Sequence, residues 1–380
     1  MFRRGNRTTK KRLLQMTIGS VHHFLSLSFA TTIAAFHVIC LNHDKEACTV
    51  ENLHPEHEGT FVLHHLPELV CVLYFSQLMA KTVDHTIFSN LEPKIKTVLI
   101  TDSAAVSNVI LPRNITVEHL YVVKTGLEAM RFEQNDVLSV LYVEKAPLSH
   151  VPPTLVNLRN LTYLKINHTP LEQLHLELFC SLRALMTVDL NHNKIHYLTG
   201  PLQRSHECGP KLAMLMLGNN RLTTLHPHVF VPFGLLTSIK LSENMIETIA
   251  GGFKNTLVGQ LALSDNMLLT FDLCDCVPMP NITFFEMDGN KLTHVPKCLE
   301  RMPNVEVIIL ESNQLSAVSI AEFKGLQRLQ HIRLAWNAIV SFTVHEHSLP
   351  PGLVGIDVRY NRLEHPNISQ AVAQRVRIRV

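Results

Sequence analysis

One apolar pattern, LxxLxLxxNxLxxL, recurs along most of this chain of 380 residues. The copies that match it well begin at Leu185, Leu212, Leu236, Val258, Ile282, Val305, Leu329 and Leu353. Looser copies begin at Ile95, Val117, Leu138 and Leu161, so twelve copies follow one another at separations of 21 to 27 residues. One copy is too short to bury its own apolar face, and the copies must therefore stack against each other.

The period and the spacing predict the fold. Apolar residues in this arrangement, repeated every ~20–29 residues, are the signature of a leucine-rich repeat. In the xLxLx portion the side chains alternate, which points Val188 and Leu190 inward and Asp189 outward. We therefore predict an α/β leucine-rich-repeat solenoid, or horseshoe, of about twelve repeats. Its concave side is a parallel sheet, and its convex side is irregular or built from short helical segments.

The polar residue of the pattern is expected to turn the chain and to hydrogen-bond with the backbone of neighbouring turns. Eight repeats carry an asparagine there: Asn193, Asn220, Asn244, Asn266, Asn290, Asn313, Asn337 and Asn361. The earlier repeats carry Ser103, Thr125, Ala146 and Thr169 instead, which predicts a less regular N-terminal part. Phenylalanines are expected to fill the convex side of the core at Phe179, Phe230, Phe253 and Phe323.

The two ends of the chain do not follow the repeat pattern, and we predict other roles for them. Residues 1–36 begin with basic residues and continue with an apolar run from Phe24 to small residues at Ala34 and Ala35, the order of a secretory signal peptide. An uncleaved anchor over residues 24–40 is the alternative, although this run is shorter than the ~20 residues that span a bilayer. We expect residues 37–94 to form an N-terminal cap with a degenerate repeat, and residues 95–366 to hold the repeats. Residues 367–380 are expected to form a C-terminal tail or capping strand, unless further sequence follows.

Glycosylation sequons agree with export. An asparagine followed two residues later by Thr or Ser occurs at Asn114, Asn160, Asn167, Asn281 and Asn367. Asn167 falls on an outward strand position, so a glycan there is expected to stand on the concave face and to keep partners away from it.

The eight cysteines read as a disulfide set in an exported protein. Equivalent positions on adjacent turns lie close enough for a bond, which predicts Cys180–Cys208 and pairs Cys298 with Cys274 or Cys276. At the N-terminus Cys40 pairs with Cys48 if it survives cleavage; otherwise Cys48 pairs with Cys71. A thiol left over at Cys71 or Cys276 would form an intermolecular disulfide or stay buried as a small apolar residue.

The sequence holds no motif of catalysis. The 23 histidines show neither an HExxH arrangement nor a matched Cys/His set, and there is no phosphate-binding glycine loop and no GxSxG elbow. We therefore expect no enzyme, no cofactor and no metal site. The net charge of +2 is spread thinly, which does not favour a nucleic acid or another polyanion as partner.

Function is then expected at the exposed strand positions. Aromatic and arginine side chains dominate the energetics of protein interfaces, and they occur at both ends of the predicted sheet. The candidate binding residues are Tyr121, Tyr142, Tyr163, Arg333, Trp336, Arg359 and Tyr360, with Trp336 as the preferred hot spot. Between the two groups lies an acidic zone of Glu243, Asp265, Glu286, Asp288 and Glu311.

Several features together resemble the secreted leucine-rich-repeat immune proteins of mosquitoes. They are the predicted signal, the Cys-x7-Cys-Thr-Val segment from Cys40 to Val50, and the stretches Leu178-Phe-Cys180 and Val295-Pro-Lys-Cys298-Leu, and the likeness spans roughly residues 35–366. It implies a haemolymph protein that forms disulfide-linked complexes and stabilises complement-like thioester proteins. A cysteine motif and a coiled coil do not follow the repeats here, so the resemblance is to a short or coil-less type.

The expected partners are other extracellular proteins, either complement-like thioester proteins or another leucine-rich-repeat chain. A cell-surface adhesion or receptor ectodomain held by its N-terminal segment is the rival reading. A small structural matrix protein is a third.

Overall fold

The computed structural model describes residues 35–40, 46–201, 208–364 and 368–380. Sixteen of the strands in these residues form one sheet in chain order. They are β1 (His37–Cys40), β2 (Ala47–Glu51), β3 (Val72–Ser76), β4 (Thr97–Thr101), β5 (His119–Val123), β6 (Val140–Glu144), β7 (Tyr163–Asn167), β8 (Thr187–Asp189), β9 (Met214–Met216), β10 (Ser238–Lys240), β11 (Gln260–Ala262), β12 (Phe284–Glu286), β13 (Val307–Ile309), β14 (His331–Arg333), β15 (Gly355–Asp357) and β16 (Arg377–Arg379). The predicted leucine-rich-repeat solenoid is confirmed, and its twelve repeats supply β4 to β15.

The strands from β2 onward pair in parallel and in register. Val188 pairs with Leu215, and Leu215 with Ile239, so equivalent residues of successive repeats lie side by side. Among the strands of the described residues in this sheet, β1 and β2 are the pair that is antiparallel, at the N-terminal edge. Parallel pairing at each turn turns one sequence pattern into straight columns of side chains along the sheet.

The convex side is made of short segments, as the sequence predicts. The α-helices within the described residues are α1 (Pro55–Glu58), α2 (His85–Phe88) and α3 (Gln370–Arg375). The 3-10 helices are Phe61–His64, Pro153–Asn157, Leu176–Phe179, Pro227–Phe230, Leu299–Arg301, Ile320–Phe323 and Glu346–Ser348. Short strands also pair there: Thr82–Val83, Asn108–Leu111 and Ala129–Phe132 in one sheet, then Gln173–His175 with Tyr197–Thr199, Thr224–Leu225 with Thr248–Ile249, and Ala317–Ser319 with Ser341–Thr343.

The core runs between the two sides without interruption. Inward strand residues such as Val188 and Leu190 have no exposed surface. The phenylalanines Phe179, Phe230, Phe253 and Phe323 are likewise fully buried, which confirms their predicted place. The rings of Phe230 and Phe253, one turn apart, stack with centroids 6.3 Å apart.

The asparagine ladder is present. Asn220 donates its amide to the carbonyl oxygens of Leu190 and Leu217, and its Oδ1 accepts from the backbone N–H of Ile195, at 3.0, 3.1 and 3.0 Å. The same pattern recurs from Asn244 to Asn361. Each amide thereby satisfies backbone groups of its own and the preceding turn, which would otherwise be buried without partners.

The prediction of a less regular N-terminal part is wrong. Strands β2 to β7 have five residues each, whereas β8 to β15 have three. Hydroxyl groups replace the asparagine, since the Ser103 Oγ accepts from the backbone N–H of Leu78 at 2.9 Å and Thr125 bonds within its own turn. Threonine, valine and isoleucine are also frequent in these strands and favour extended backbone.

Each repeat leaves its strand through a residue in left-handed backbone, with φ between 48° and 66°. These residues, called the turn rim below, are Asp102, Lys124, Lys145, His168, His192, Asn219, Glu243, Asp265, Gly289, Ser312, Trp336 and Tyr360. Only glycine adopts this backbone without cost, and large side chains rarely do. The turn rim lines the edge of the concave face where the strands end.

The ends of the solenoid are closed by extra strands. Cys40 and Cys48 join β1 to β2 by a disulfide, and β16 pairs in parallel with β15 at the other end. Residues 1–34, which make up most of the predicted signal peptide, lie outside the described residues. No helix among the described residues combines the length and the apolar character needed to cross a bilayer.

Candidate binding surface

The parallel register arranges the outward side chains of the concave face in columns. One column runs Tyr74, Leu99, Tyr121, Tyr142 and Lys165, with one residue from each strand from β3 to β7. Tyr163 lies in the neighbouring column. Tyr74 belongs to this aromatic group but was missed in the sequence, because β3 lies in a degenerate copy of the pattern. The alternation of inward and outward residues along β3 could have identified Tyr74 as an outward residue.

The tyrosines form a connected polar cluster. The rings of Tyr121 and Tyr142 lie 5.5 Å apart, and the Lys165 ammonium sits 4.8 Å from the centre of the Tyr142 ring. The Tyr142 hydroxyl donates to Glu144. Burial and this bond raise the pKa of Tyr142, and the same bond lowers the pKa of Glu144. Burial also raises the pKa of Tyr163. Tyr142 and Tyr163 therefore keep neutral phenols beside the charged Lys165 and Glu144.

Asp189, which strand alternation predicts to be an exposed outward residue, is buried. Its side chain lies on the concave side, but only 6% of the residue is exposed. The carboxylate lies 3.7 Å from the Lys165 ammonium and accepts from the backbone N–H of Asn191 at 3.1 Å. Side chains of the neighbouring columns cover Asp189. An outward position in the alternation along a strand therefore does not by itself show that a residue is exposed.

The middle of the concave face is acidic. Burial raises the pKa of Asp265, and the nearby Asp288 and Glu243 raise it further. Burial also raises the pKa of Glu311. Phe284, at the first outward position of β12, is 52% exposed beside this zone and was missed in the sequence, where only the acidic residues were considered. Strand alternation marks it as an outward aromatic residue.

The C-terminal end of the face carries arginines. Arg359 binds Asp357 through two nitrogens, with Nε–Oδ1 and Nη2–Oδ2 distances of 2.9 and 2.6 Å. Arg379 lies 3.9 Å from the same carboxylate, and Arg333 is exposed on the neighbouring strand. The hydrogen bonds from Arg359 hold the pKa of Asp357 below its ordinary value. The three arginines outnumber Asp357 and the neighbouring Glu311, so this end of the face is basic.

Arg359→Ala is expected to raise the pKa of Asp357 toward the ordinary aspartate value of about 3.9. A carboxylate with a lowered folded-state pKa stabilises the fold above that ordinary value, and the contribution is lost as the pH falls through the lower folded-state pKa. Carbon-detected NMR titration of the Asp357 carboxyl measures the change. Arg362→Ala, at an arginine without a hydrogen bond or ion pair to Asp357, is the control and should leave the titration unmoved. An unchanged midpoint in the Arg359 variant would contradict the assignment.

Trp336 and Tyr360 lie beside this basic end, on the turn rim rather than on the strands where the sequence analysis placed them. Their rings stack with centroids 4.1 Å apart and planes 18° apart. Trp336 is 59% and Tyr360 60% exposed. The Arg359 guanidinium lies 5.9 Å from the Tyr360 ring. Arg333, Trp336, Arg359 and Tyr360 are therefore brought to one corner, where the concave face meets the turn rim.

The structure shows which of the predicted glycosylation sequons are exposed. Asn114, Asn160 and Asn281 are exposed, and each precedes a strand of the main sheet, at the edge opposite the turn rim. Asn367 lies outside the described residues. The expectation of an outward Asn167 is wrong: the residue is 4% exposed, packed at the end of β7. A glycan on Asn167 would not fit the folded chain.

The cysteines form three disulfides among the described residues, Cys40–Cys48, Cys180–Cys208 and Cys274–Cys298. Cys71 and Cys276 are free. Cys276 is 3% exposed, its sulfur accepts from the backbone N–H of Phe253, and burial raises its pKa. An intermolecular bond through Cys276 is thus excluded in the folded chain, whereas Cys71 is half-buried. Asp272 lies near Cys274 and Cys298, but disulfide sulfurs are not thiolate ligands.

Comparison with known proteins agrees with the repeat. Residues 210–256 match the family model Leucine rich repeat. Lumican of Gallus gallus is 26% identical over 223 residues, which cover 57% of this chain and 56% of lumican. Podocan of Mus musculus is 26% identical over 257 residues, which cover 55% of this chain and 42% of podocan. The chain thus spans about half the length of these relatives.

Two solved structures share the fold. A TLR13–ssRNA13 complex matches with a TM-score of 0.58 at 15% identity, covering 82% of this chain and 50% of that one. The LRIM1/APL1C complex, of mosquito immune proteins, matches with a TM-score of 0.56 at 18% identity, covering 85% and 63%. The leucine-rich-repeat family and the lumican-like and podocan-like relatives are non-enzymatic binding proteins. The sheet, the asparagine ladder and these comparisons show that this chain is a leucine-rich-repeat solenoid.

Proposed function

We propose that this chain is a secreted binding protein that recognises another extracellular protein at the corner formed by Arg333, Trp336, Arg359 and Tyr360. The stack of Trp336 on Tyr360 carries the proposal. Two large aromatic rings, each more than half exposed, are costly to leave in water and are the side chains that most often dominate binding energy.

The backbone of this corner supports the same conclusion. Trp336 has φ 58° and Tyr360 φ 57°, although bulky residues are uncommon in left-handed backbone. The position accepts glycine, aspartate or asparagine at lower cost, as other repeats of this chain show. The fold requires left-handed backbone at this position in every repeat, but it does not require an aromatic side chain there. The two rings are therefore better explained by a partner than by the needs of the fold.

The positions of the sequons favour a partner that approaches from the turn rim. Asn114, Asn160 and Asn281 lie at the opposite edge of the sheet, so glycans on them would leave the turn rim and the concave face open. With Asn167 buried, the concave face itself carries no exposed sequon among the described residues. A partner can then contact the aromatic corner and the charged columns together.

The N-terminal strand supports secretion. Residues 37–40 form β1 and are joined to β2 by backbone pairing and the Cys40–Cys48 disulfide. The apolar run left before them, residues 24–36, is shorter than the ~20 residues of a membrane span and has the length of a signal-peptide core. This favours a cleaved signal over the rival reading of a tethered ectodomain.

Innate immunity is the biological setting that we propose. The structural neighbour in the LRIM1/APL1C complex is a pair of immune leucine-rich-repeat proteins. By this likeness, the partner of the present chain is a second leucine-rich-repeat chain or a complement-like thioester protein. Half-buried Cys71 is the thiol that remains available for an intermolecular disulfide.

Replacing both rings, with Trp336→Asn and Tyr360→Asn, should weaken partner binding by about 10- to 100-fold. Asparagine suits the left-handed backbone, so the change removes the rings without adding strain. Wild-type chain is immobilised, proteins retained from extracellular fluid of its source organism are identified by mass spectrometry, and the Kd of each purified candidate is measured against both forms.

Tyr197→Asn is the matched control, because Tyr197 is 51% exposed on the convex side. It should leave the Kd within about twofold. If every purified partner bound the double variant as tightly as wild type, the aromatic corner would not be the recognition site. Loss of binding in the Tyr197 variant alone would move the site to the convex face.

A further inference from the structure

A second candidate site lies on the turn rim, away from the aromatic corner. A groove of about 540 Å³ is lined by residues of four successive turns there. Its wall is formed by His168, Thr169, Pro170, His192, Asn193, Lys194, Asn219, Asn220, Arg221 and Met245. No aspartate or glutamate belongs to this lining, although the chain as a whole is almost neutral.

Two imidazoles form one side of the groove. The rings of His168 and His192 stack with centroids 4.7 Å apart and planes 16° apart. Both side chains are exposed, and both residues occupy the left-handed turn-rim position. Backbone hydrogen bonds of 2.9 Å from His168 to His192, and of 3.0 Å from His192 to Gly218, hold successive turns in place. The backbone register of the two turns therefore brings the two imidazoles together.

Two free cations form the other side. Lys194 and Arg221 follow ladder asparagines on adjacent turns, which places them roughly 5 Å apart along the solenoid. Neither side chain forms an ion pair or a hydrogen bond with any residue in the described part of the chain. Asn219 adds an amide between the turns. Cations without protein partners, arranged in a line, suit a ligand with repeated negative charges.

The positive charge of the groove comes from Lys194 and Arg221 in its lining, and carboxylates lie around it. Glu243, on the next turn, already accepts a hydrogen bond of 2.7 Å from the Asn219 amide. Lys145, on the preceding turn, pairs with Glu144 at 3.4 Å. Beneath them, on the concave face, Lys165 pairs with Asp189. Glu144 and Asp189 are thus each paired with a lysine, and Glu243 is the carboxylate that keeps an uncompensated charge, since the Asn219 amide is neutral. Lys194 and Arg221 have no such partner within the described residues.

We propose that this groove binds a sulfated oligosaccharide. Lysine, arginine and amide side chains donate to sulfate oxygens, while the imidazole rings, Pro170 and the exposed Met245 offer apolar surface to a sugar ring. A sulfated sugar is favoured over other polyanions by the extracellular location, so this part of the inference rests on the proposed function. The sequence did not favour a polyanion because these cations are separated by a repeat each and meet only in the folded solenoid.

The test uses the full secreted chain and a fluorescent heparin-derived tetrasaccharide, with Kd measured by anisotropy at about 0.15 M salt. Lys194→Gln with Arg221→Gln should weaken binding at least about tenfold. Lys291→Gln is the matched control, since Lys291 holds the equivalent exposed position on a distant turn, and it should change Kd by less than about twofold. Equal binding by the groove variant and the control would overturn the proposal.

Two further measurements test whether the histidine pair belongs to the site and whether the ligand must be sulfated. His168→Asn with His192→Asn, which suits left-handed backbone, removes the stacked imidazoles and should weaken binding at least about threefold; unchanged binding would remove the histidine pair from the site. Unsulfated tetrasaccharide should not bind. Single-stranded RNA or polyphosphate that bound as tightly as the sulfated sugar would overturn the choice of ligand. Because the aromatic corner is intact in every variant, failure here leaves the proposed protein-binding function untouched.

Discussion

Phe230→Ala is expected to lower the free energy of unfolding by about 3–5 kcal/mol. The side chain is fully buried on the convex side of the core, and its ring stacks 6.3 Å from that of Phe253 on the next turn. Truncation removes apolar burial and leaves a cavity that two stacked turns cannot close without moving their strands. Urea denaturation followed by circular dichroism, analysed with a common slope, measures the change.

Val231→Ala is the control for this prediction. Val231 is adjacent in sequence but 43% exposed, so its truncation should cost less than about 0.5 kcal/mol. If the two variants were destabilised equally, the phenylalanine would not be part of the core that joins the turns. The contrast tests stacking, because neither residue touches the proposed binding corner.

Asn220→Ala is expected to cost about 2–3 kcal/mol. Asn220 is 6% exposed, and its Oδ1 accepts from the backbone N–H of Ile195 at 3.0 Å. Alanine leaves that buried N–H without its partner and removes the donor shared by Leu190 and Leu217. Both carbonyls keep a bond from a neighbouring ladder asparagine, Asn193 or Asn244. The loss is therefore smaller than that of the phenylalanine.

Denaturation and amide hydrogen exchange together check the ladder prediction. Exchange at Ile195 should accelerate in the Asn220 variant, because its N–H loses its only described acceptor. Arg221→Ala, at the exposed neighbouring position, should leave both stability and exchange unchanged within about 0.5 kcal/mol. Slow exchange of Ile195 in the Asn220 variant would show that another group satisfies it.

Two effects limit what strand alternation could predict about the surface. Asp189 and Asn167 have the parity of outward residues, yet they are 6% and 4% exposed. Side chains of neighbouring columns lie about 4.8 Å away and cover short ones. Trp336 and Tyr360, in contrast, lie just after their strands and are exposed because the left-handed turn directs them away from the core. Both outcomes depend on adjacent turns rather than on the repeat in which the residue occurs.

The disulfides show a similar division. Spacing within the repeat was enough to pair Cys180 with Cys208, since equivalent positions stack. It could not choose between Cys274 and Cys276, which lie two residues apart on one turn. The structure pairs Cys274 with Cys298 and buries Cys276 at 3% exposure. The direction of each side chain, inward or outward, makes the difference.

The sequence by itself determined the solenoid, the twelve repeats, the asparagine ladder and the buried phenylalanines. These follow from a local pattern in which each copy repeats the same backbone path, so stacking has one solution. Only the tertiary structure decided that Trp336 stacks on Tyr360 and His168 on His192, and that Lys194 and Arg221 line one groove. These residues are separated by a repeat in sequence. Their contacts arise from the register and the left-handed turns, which set the distance and direction of each side chain.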